Sequence, residues 1–322
     1  MSFGQYPYQP PKQRHSAAIY RRRRAVVGVA IVVGGYVVFS IGSAMFSGTA
    51  APTLEAADNS VPQTSLNVAP TVTAPGQTAL ISTTTSTISP NREPRQVSTE
   101  SPAILYIAGD SDAGTFGPYL EKLMDSTGYV KTTLDYKVSS GLSRPDFYDW
   151  GARFNEQVPL VDPDIVVVTF GGNDAQGLTD LGGEFQFQQP TGEANGDQEW
   201  RAEYGRRVGA TMDYLSAGGR TLIWVGIPND DNPDVTARMS VQNEVVRAQA
   251  AARPEVLFVD TWARFSGIDG GWAEYVVDPR DGVGKDVRAN DGFHLNENGA
   301  EILALDIADV LKSDLRKRGA SL

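Results

Sequence analysis

The back two-thirds of the chain predicts an α/β fold, a three-layer α/β/α sandwich around a five-stranded parallel sheet. Two observations carry this. From Ala103 onward, short strand-like runs alternate with helical patterns, and the order of elements reads βαβαβαβαβα, the signature of a parallel sheet covered by helices on both faces. The strands are expected near 104–108, 132–137, 165–170, 221–226 and 256–259. Between them, helices are expected near 117–126, 150–157, 198–217 and 236–252, and a last one follows at 298–317. That last helix places Ala300, Leu303, Ile307 and Val310 on one apolar stripe. In open sheets of this kind ligands bind beyond the carboxyl ends of the strands, where the strand order switches. The loops after the first three strands are therefore the ones to inspect.

The front third has a different composition. Residues 1–24 form a basic tail in which Arg21, Arg22, Arg23 and Arg24 immediately precede an uncharged run, and residues 1–54 contain no Asp or Glu. The uncharged run, 25–46, has 22 residues, enough at about 1.5 Å per residue to cross a hydrocarbon core about 30 Å thick. It is expected to be a transmembrane helix. The arginine cluster puts the N-terminus in the cytoplasm and everything after residue 46 outside the plasma membrane. A cleaved signal peptide, with Thr49, Ala50 and Ala51 at the cleavage site, is the rival reading, but its apolar region would be about 7–15 residues long. Residues 47–102 are rich in Ser, Thr, Ala and Pro without sustained periodicity, and are expected to form a disordered linker. The folded domain is then expected at 103–318.

Charge and cysteine content narrow the chemistry. Residues 101–322 hold 20 basic and 35 acidic side chains, a surface that repels phosphate backbones and argues against a nucleic-acid partner. With no cysteine in the chain, thiol nucleophiles, Cys-ligated zinc and disulfides are excluded. The run Asn229-Asp230-Asp231-Asn232-Pro233-Asp234 lacks the spacing, Gly and distal Glu of a calcium loop and reads as a loop with a helix cap. No metal and no cofactor is expected.

Four short blocks fall at the expected mouth of the sheet. After strand 1 comes Gly109-Asp110-Ser111; a serine there sits at a strand-to-helix turn, its oxygen exposed and its N–H free for a developing oxyanion. Alone, the tripeptide is also ordinary turn composition. After strand 2, Gly141 in Ser139-Ser140-Gly141-Leu142-Ser143-Arg144-Pro145 allows close backbone approach to a substrate, unless this is a plain loop. After strand 3, Gly171-Gly172-Asn173-Asp174 offers a side-chain amide as an oxyanion donor. Just before the last helix lies Asp291-Gly292-Phe293-His294. The only other histidine is His15, on the cytoplasmic side by the expected topology, so a serine nucleophile in this domain has His294 as its one imidazole base. Asp291, three residues earlier, is placed to accept the Nδ1 proton.

Together these blocks resemble the SGNH/GDSL hydrolase superfamily, whose four blocks centre on Ser, Gly, Asn and His; all four are present in order over about 215 residues. The resemblance implies a flavodoxin-like SGNH hydrolase fold. It also implies Ser111 as nucleophile, His294 as base and Asp291 as its orienter, with the Ser111 and Gly141 N–H groups and the Asn173 amide as the oxyanion hole. Asp110 and Asp174 would be supporting residues. Further wording, Gly141-Leu142-Ser143-Arg144-Pro145-Asp146 with Tyr148-Asp149-Trp150, is similar to a bacterial envelope subgroup of unsettled function. One departure stands out: Asp112 follows the nucleophile where the superfamily usually carries an apolar residue. Such a carboxylate either opposes an oxyanion, points away, or binds a cationic substrate group. Arg144 and Arg288 are candidates for holding an anionic acceptor, with surface or salt-bridge roles as the alternative. The polar stretch 181–196 and the Gly-rich stretch 267–284 are either specificity loops or tolerated insertions.

The expected activity is that of an extracytoplasmic serine esterase acting on O-acyl esters of envelope carbohydrate, O-acetyl foremost. The alternatives are an O-acyltransferase with the same triad and a non-catalytic envelope-binding module.

Overall fold

The computed structural model describes residues 93–193 and 196–322. The chain divides into two units, Met1–Leu80 and Ile81–Leu322, and every described residue lies in the second. The expected cytoplasmic tail, membrane span and nearly all of the linker lie outside the described residues. Among the described residues no helix is long and apolar enough to cross a membrane.

Five strands, β1 (Ala103–Gly109), β2 (Val130–Tyr136), β3 (Ile165–Thr169), β6 (Thr221–Val225) and β7 (Val256–Val259), form one parallel sheet in the order β2-β1-β3-β6-β7. Its helices are α1 (Ser111–Asp125), α2 (Trp150–Val161), α3 (Gln198–Ser216), α4 (Pro233–Ala251) and α6 (Glu297–Lys317), with a four-residue α5 (Thr261–Arg264) after β7. The alternating side chains of each strand explain the layering. Leu105, Ile107, Ile165, Val167, Ile223 and Val225 pack with Phe116, Leu120 and Met124 of α1 and Ile302, Ile307 and Leu311 of α6. Their neighbours Tyr106, Ala108, Val166, Val168, Leu222 and Trp224 pack with α2, α3 and α4 through Trp150, Phe154, Trp200, Tyr204, Met212 and Val245. Both faces of the central strands are dry, which is why β3 reads as Ile-Val-Val-Val-Thr with every residue buried. Each large apolar side chain so buried contributes about 1.5–3 kcal/mol.

Three departures from the sequence-based expectations have physical reasons. First, α1 begins at Ser111 rather than 117, because Gly114, Gly117 and Pro118 depress helix propensity while tertiary packing overrides it. A Cβ at Gly114 would lie 2.7 Å from the Tyr136 ring of β2, so the glycine is what lets strand and helix approach. Second, antiparallel hairpins too short to show a period overlap the two interrupting stretches: β4 (Leu178–Thr179) with β5 (Phe185–Phe187), and β8 (Tyr275–Val277) with β9 (Gly284–Asp286). Third, packing starts ahead of residue 103, since Val97 is buried in the core, its N–H bonds to the Arg318 carbonyl, and Arg95 pairs with Asp164. The Asn-Asp run before α4 serves as a cap: the Asn232 side chain accepts from the Asp234 N–H.

Candidate active site

The strand order reverses around β1, and the loops leaving β1, β2 and β3 meet there. Gly109 ends β1 with φ +146°, and a Cβ on it would sit 2.1 Å from the Thr169 carbonyl oxygen. Only glycine allows the chain to turn there directly into α1. Asp110 caps that helix, its carboxylate accepting from the Asp112 N–H at 3.0 Å. Ser111 is the first residue of α1, so its N–H is one of the donors that a helix leaves unpaired at its N-terminus.

Two buried carboxylates tie the three loops together. Asp110, wholly buried, accepts from the Gly171 N–H at 2.6 Å and from the Asn173 side-chain amide at 3.3 Å. Burial, with the nearby charge of Asp112, pushes its carboxyl well above the usual range. Asp174, also wholly buried, accepts from the Leu142 N–H at 2.9 Å, the Ser143 N–H at 2.8 Å and the Tyr204 hydroxyl at 2.8 Å. Burial raises its carboxyl too, against the lowering effect of those donors. Gly141 lies against this carboxylate, where a Cβ would come within 2.0 Å of Oδ1. The Asn173 amide nitrogen carries two hydrogens and spends one on Asp110. Two buried acids thus hydrogen-bond the nucleophile turn, glycine loop and asparagine loop into one constellation.

The histidine arrives from the loop ahead of α6. His294 Nε2 lies 2.9 Å from Ser111 Oγ, and its Nδ1 lies 2.6 Å from Asp291 Oδ2. The other oxygen of Asp291 accepts from the Phe293 and His294 N–H groups at 3.1 and 3.0 Å. Partial burial works to raise the Asp291 carboxyl, but these bonds and the imidazole outweigh it and hold it below the usual carboxylate value. This half of the site is open, with side-chain exposures of 33% for His294 and 52% for Asp291. The Phe293 ring packs edge-on against the imidazole at 4.9 Å.

The two arginines are both engaged within the chain. Arg288 is buried, and its guanidinium donates to the carbonyls of Asn229, Phe265, Ala273 and Phe293 and to Asn229 Oδ1. It braces the histidine loop, and burial lowers it to about 10 in spite of the acids nearby. Arg144 pairs with Asp146 and lies over the Phe185 ring at 5.2 Å. Asp112 is buried, 7% exposed. Residues that the motifs did not point to also brace the site. Gln242 of α4 donates to the Phe170 and Gly171 carbonyls, both at 3.0 Å, and Arg207 of α3 donates to the Leu142 carbonyl at 2.9 Å. Trp272 donates to the Gly292 carbonyl at 2.7 Å. None of these follows a motif, and a polar residue in the middle of a helix carries no signal of its partner.

Residues 104–310 match the family described as "Protein of unknown function (DUF459)". No curated protein matches the chain. Among solved structures, the lipase/acylhydrolase from Enterococcus faecalis is 16% identical, covering 66% of this chain and 96% of its own, with a TM-score of 0.43. A GDSL-like lipase from Bacteroides thetaiotaomicron is 14% identical over 66% of this chain and 89% of its own, with a TM-score of 0.45. An acetyl xylan esterase is 15% identical over 65% of this chain and 99% of its own, with a TM-score of 0.44. The family match spans well over half of the chain, so the chain belongs to the DUF459 family, and its Ser, Gly, Asn and His blocks meet in the SGNH/GDSL arrangement that the sequence resembles.

Proposed function

We propose that the domain is a serine esterase that cleaves O-acyl esters, O-acetyl foremost, on cell-envelope carbohydrate. The observation that carries this is the continuous hydrogen-bonded series from Ser111 Oγ through the His294 imidazole to Asp291, at 2.9 and 2.6 Å. In that geometry His294 takes the Ser111 proton as Oγ attacks the ester carbonyl, Asp291 holding the imidazole in the tautomer that presents Nε2 as acceptor. The developing oxyanion is met by the Ser111 N–H, the Gly141 N–H and the second hydrogen of the Asn173 amide. His294 then protonates the leaving alkoxide, an acyl-Ser111 remains, and water activated by the same imidazole releases the acid. The open histidine side of the site lets water reach the imidazole as the acceptor.

The carbohydrate substrate and the setting rest on the sequence. In this reading 25–46 anchors the chain in the plasma membrane as a single pass with the N-terminus inside, and the part of 47–102 that precedes the packed residues Arg95 and Val97 spaces the domain from the bilayer. The test is hydrolysis of p-nitrophenyl acetate and of acetylated glycan by the wild-type chain, Ser111→Ala and His294→Ala. Each variant is expected to lose at least about 10³-fold in kcat. Acetyl transferred to added glycan in preference to water would replace the esterase by an acyltransferase, and wild-type activity in Ser111→Ala would refute the serine mechanism.

A further inference from the structure

Asp112 directly follows the nucleophile, is only 7% exposed, and has a buried Oδ2 with no hydrogen-bond partner. Its carboxyl lies on the same side of Gly171 as Asp110: a Cβ at Gly171 would come within 2.3 Å of Asp112 Oδ2 and 3.0 Å of Asp110 Oδ2. The two acids are not equivalent. Asp110 accepts three N–H bonds, from Gly171, Asn173 and Asp112, which favour its anion although burial and then the charge of Asp112 raise it, whereas no hydrogen bond reaches the buried Oδ2 of Asp112 to offset a charge there.

Resting on the esterase reading, we infer that Asp112 is a positioning residue that works as a neutral acid. Protonated, it removes the neighbouring charge that, after burial, does most to raise Asp110, and so favours the Asp110 anion behind the Asn173 amide. Ionised, it sets a second buried negative charge against Asp110 and the oxyanion hole, and ester turnover falls. The surrounding charged and titratable groups are Asp110 on the nucleophile turn, Asp174 beyond it, and Asp291, His294 and Arg288 on the loop before α6. Asp230 and Asp231 lie on the loop before α4, Asp231 against Gly292. Arg288 is the one cation with a marked influence on Asp112, and its donors are engaged by Asn229 and by backbone carbonyls. Burial first, then the charge of Asp291, lifts Asp112 to about 7. The sign follows. Unlike an ordinary carboxylate, the folded chain keeps this proton up to neutrality, so both the fold and the oxyanion donors lose support as pH rises toward and through 7.

The experiment is a pair of pH profiles on the full chain, wild type against Asp112→Asn and Asp112→Leu. Wild-type turnover of p-nitrophenyl acetate is expected to fall about tenfold from pH 6.5 to 8.5, since one added charge at protein effective dielectric is worth at least that much. Both variants should lack this alkaline limb. An unchanged limb in Asp112→Asn overturns the inference. Thermal unfolding gives an arm independent of turnover: the Tm of Asp112→Asn minus that of wild type should widen from pH 5 to 8. A gap constant with pH overturns the inference. A widening gap in a chain that hydrolyses no ester supports the neutral acid and refutes the esterase reading.

Discussion

The two halves of the site are built in opposite ways. The nucleophile half is buried and cross-linked: Asp110 and Asp174 are sealed from solvent and each accepts three hydrogen bonds, two of which join loops from different strands. The base half is a single loop with Asp291 half exposed and its carboxylate bonded only within its own segment. The difference fits what each half would do in the proposed esterase. Oxyanion donors stabilise charge only if they need not reorganise when it develops, so they belong on a rigid frame. The base must reach both nucleophile and leaving group and suits the open side.

That contrast can be broken by substitution. Asn173→Ala removes an oxyanion donor from the rigid half and is expected to lower kcat about 10²–10³-fold with little change in KM, measured by steady-state kinetics. Asp174→Ala leaves the Leu142 and Ser143 N–H groups and the Tyr204 hydroxyl without their acceptor. It is expected to cost about 3 kcal/mol, read as a Tm lowered by about 10 °C. Asp291→Ala, in the exposed half, should cost about tenfold to a hundredfold in kcat, since water can replace much of a half-exposed carboxylate. Its Tm should move by less than about 2 °C. Equal thermal penalties for Asp174→Ala and Asp291→Ala would erase the distinction between the halves. The smallest effect concerns acid. Asp291 is held below the usual carboxylate value, so its contribution is present above that value and lost only as pH falls through its own lower one. Its carboxyl carbon resonance should titrate below that of an exposed Asp.

What the sequence disclosed follows the same division. The parallel sheet was legible because strands dry on both faces, such as Ile165–Thr169, read as unbroken apolar runs. The four blocks were legible because a nucleophile turn, a glycine, an asparagine and a lone domain histidine each bring a chemical type that the reaction needs. The start of α1 was not, because Gly114 records a contact with Tyr136 on another strand rather than a local preference. Arg288 looked available because it neighbours the histidine block, yet its guanidinium is spent on loop carbonyls. Asp112 was visible as a departure, but that it is buried beside a second acid is a fact of folding.

The most direct measurement is covalent trapping. The full chain is treated with a fluorophosphonate, digested, and the modified residue read by mass spectrometry. One adduct is expected, on Ser111, absent in Ser111→Ala and strongly slowed in His294→Ala. An unlabelled Ser111 in the folded wild-type chain, or equal labelling in His294→Ala, would contradict the claim that the 2.9 Å contact is an activated nucleophile.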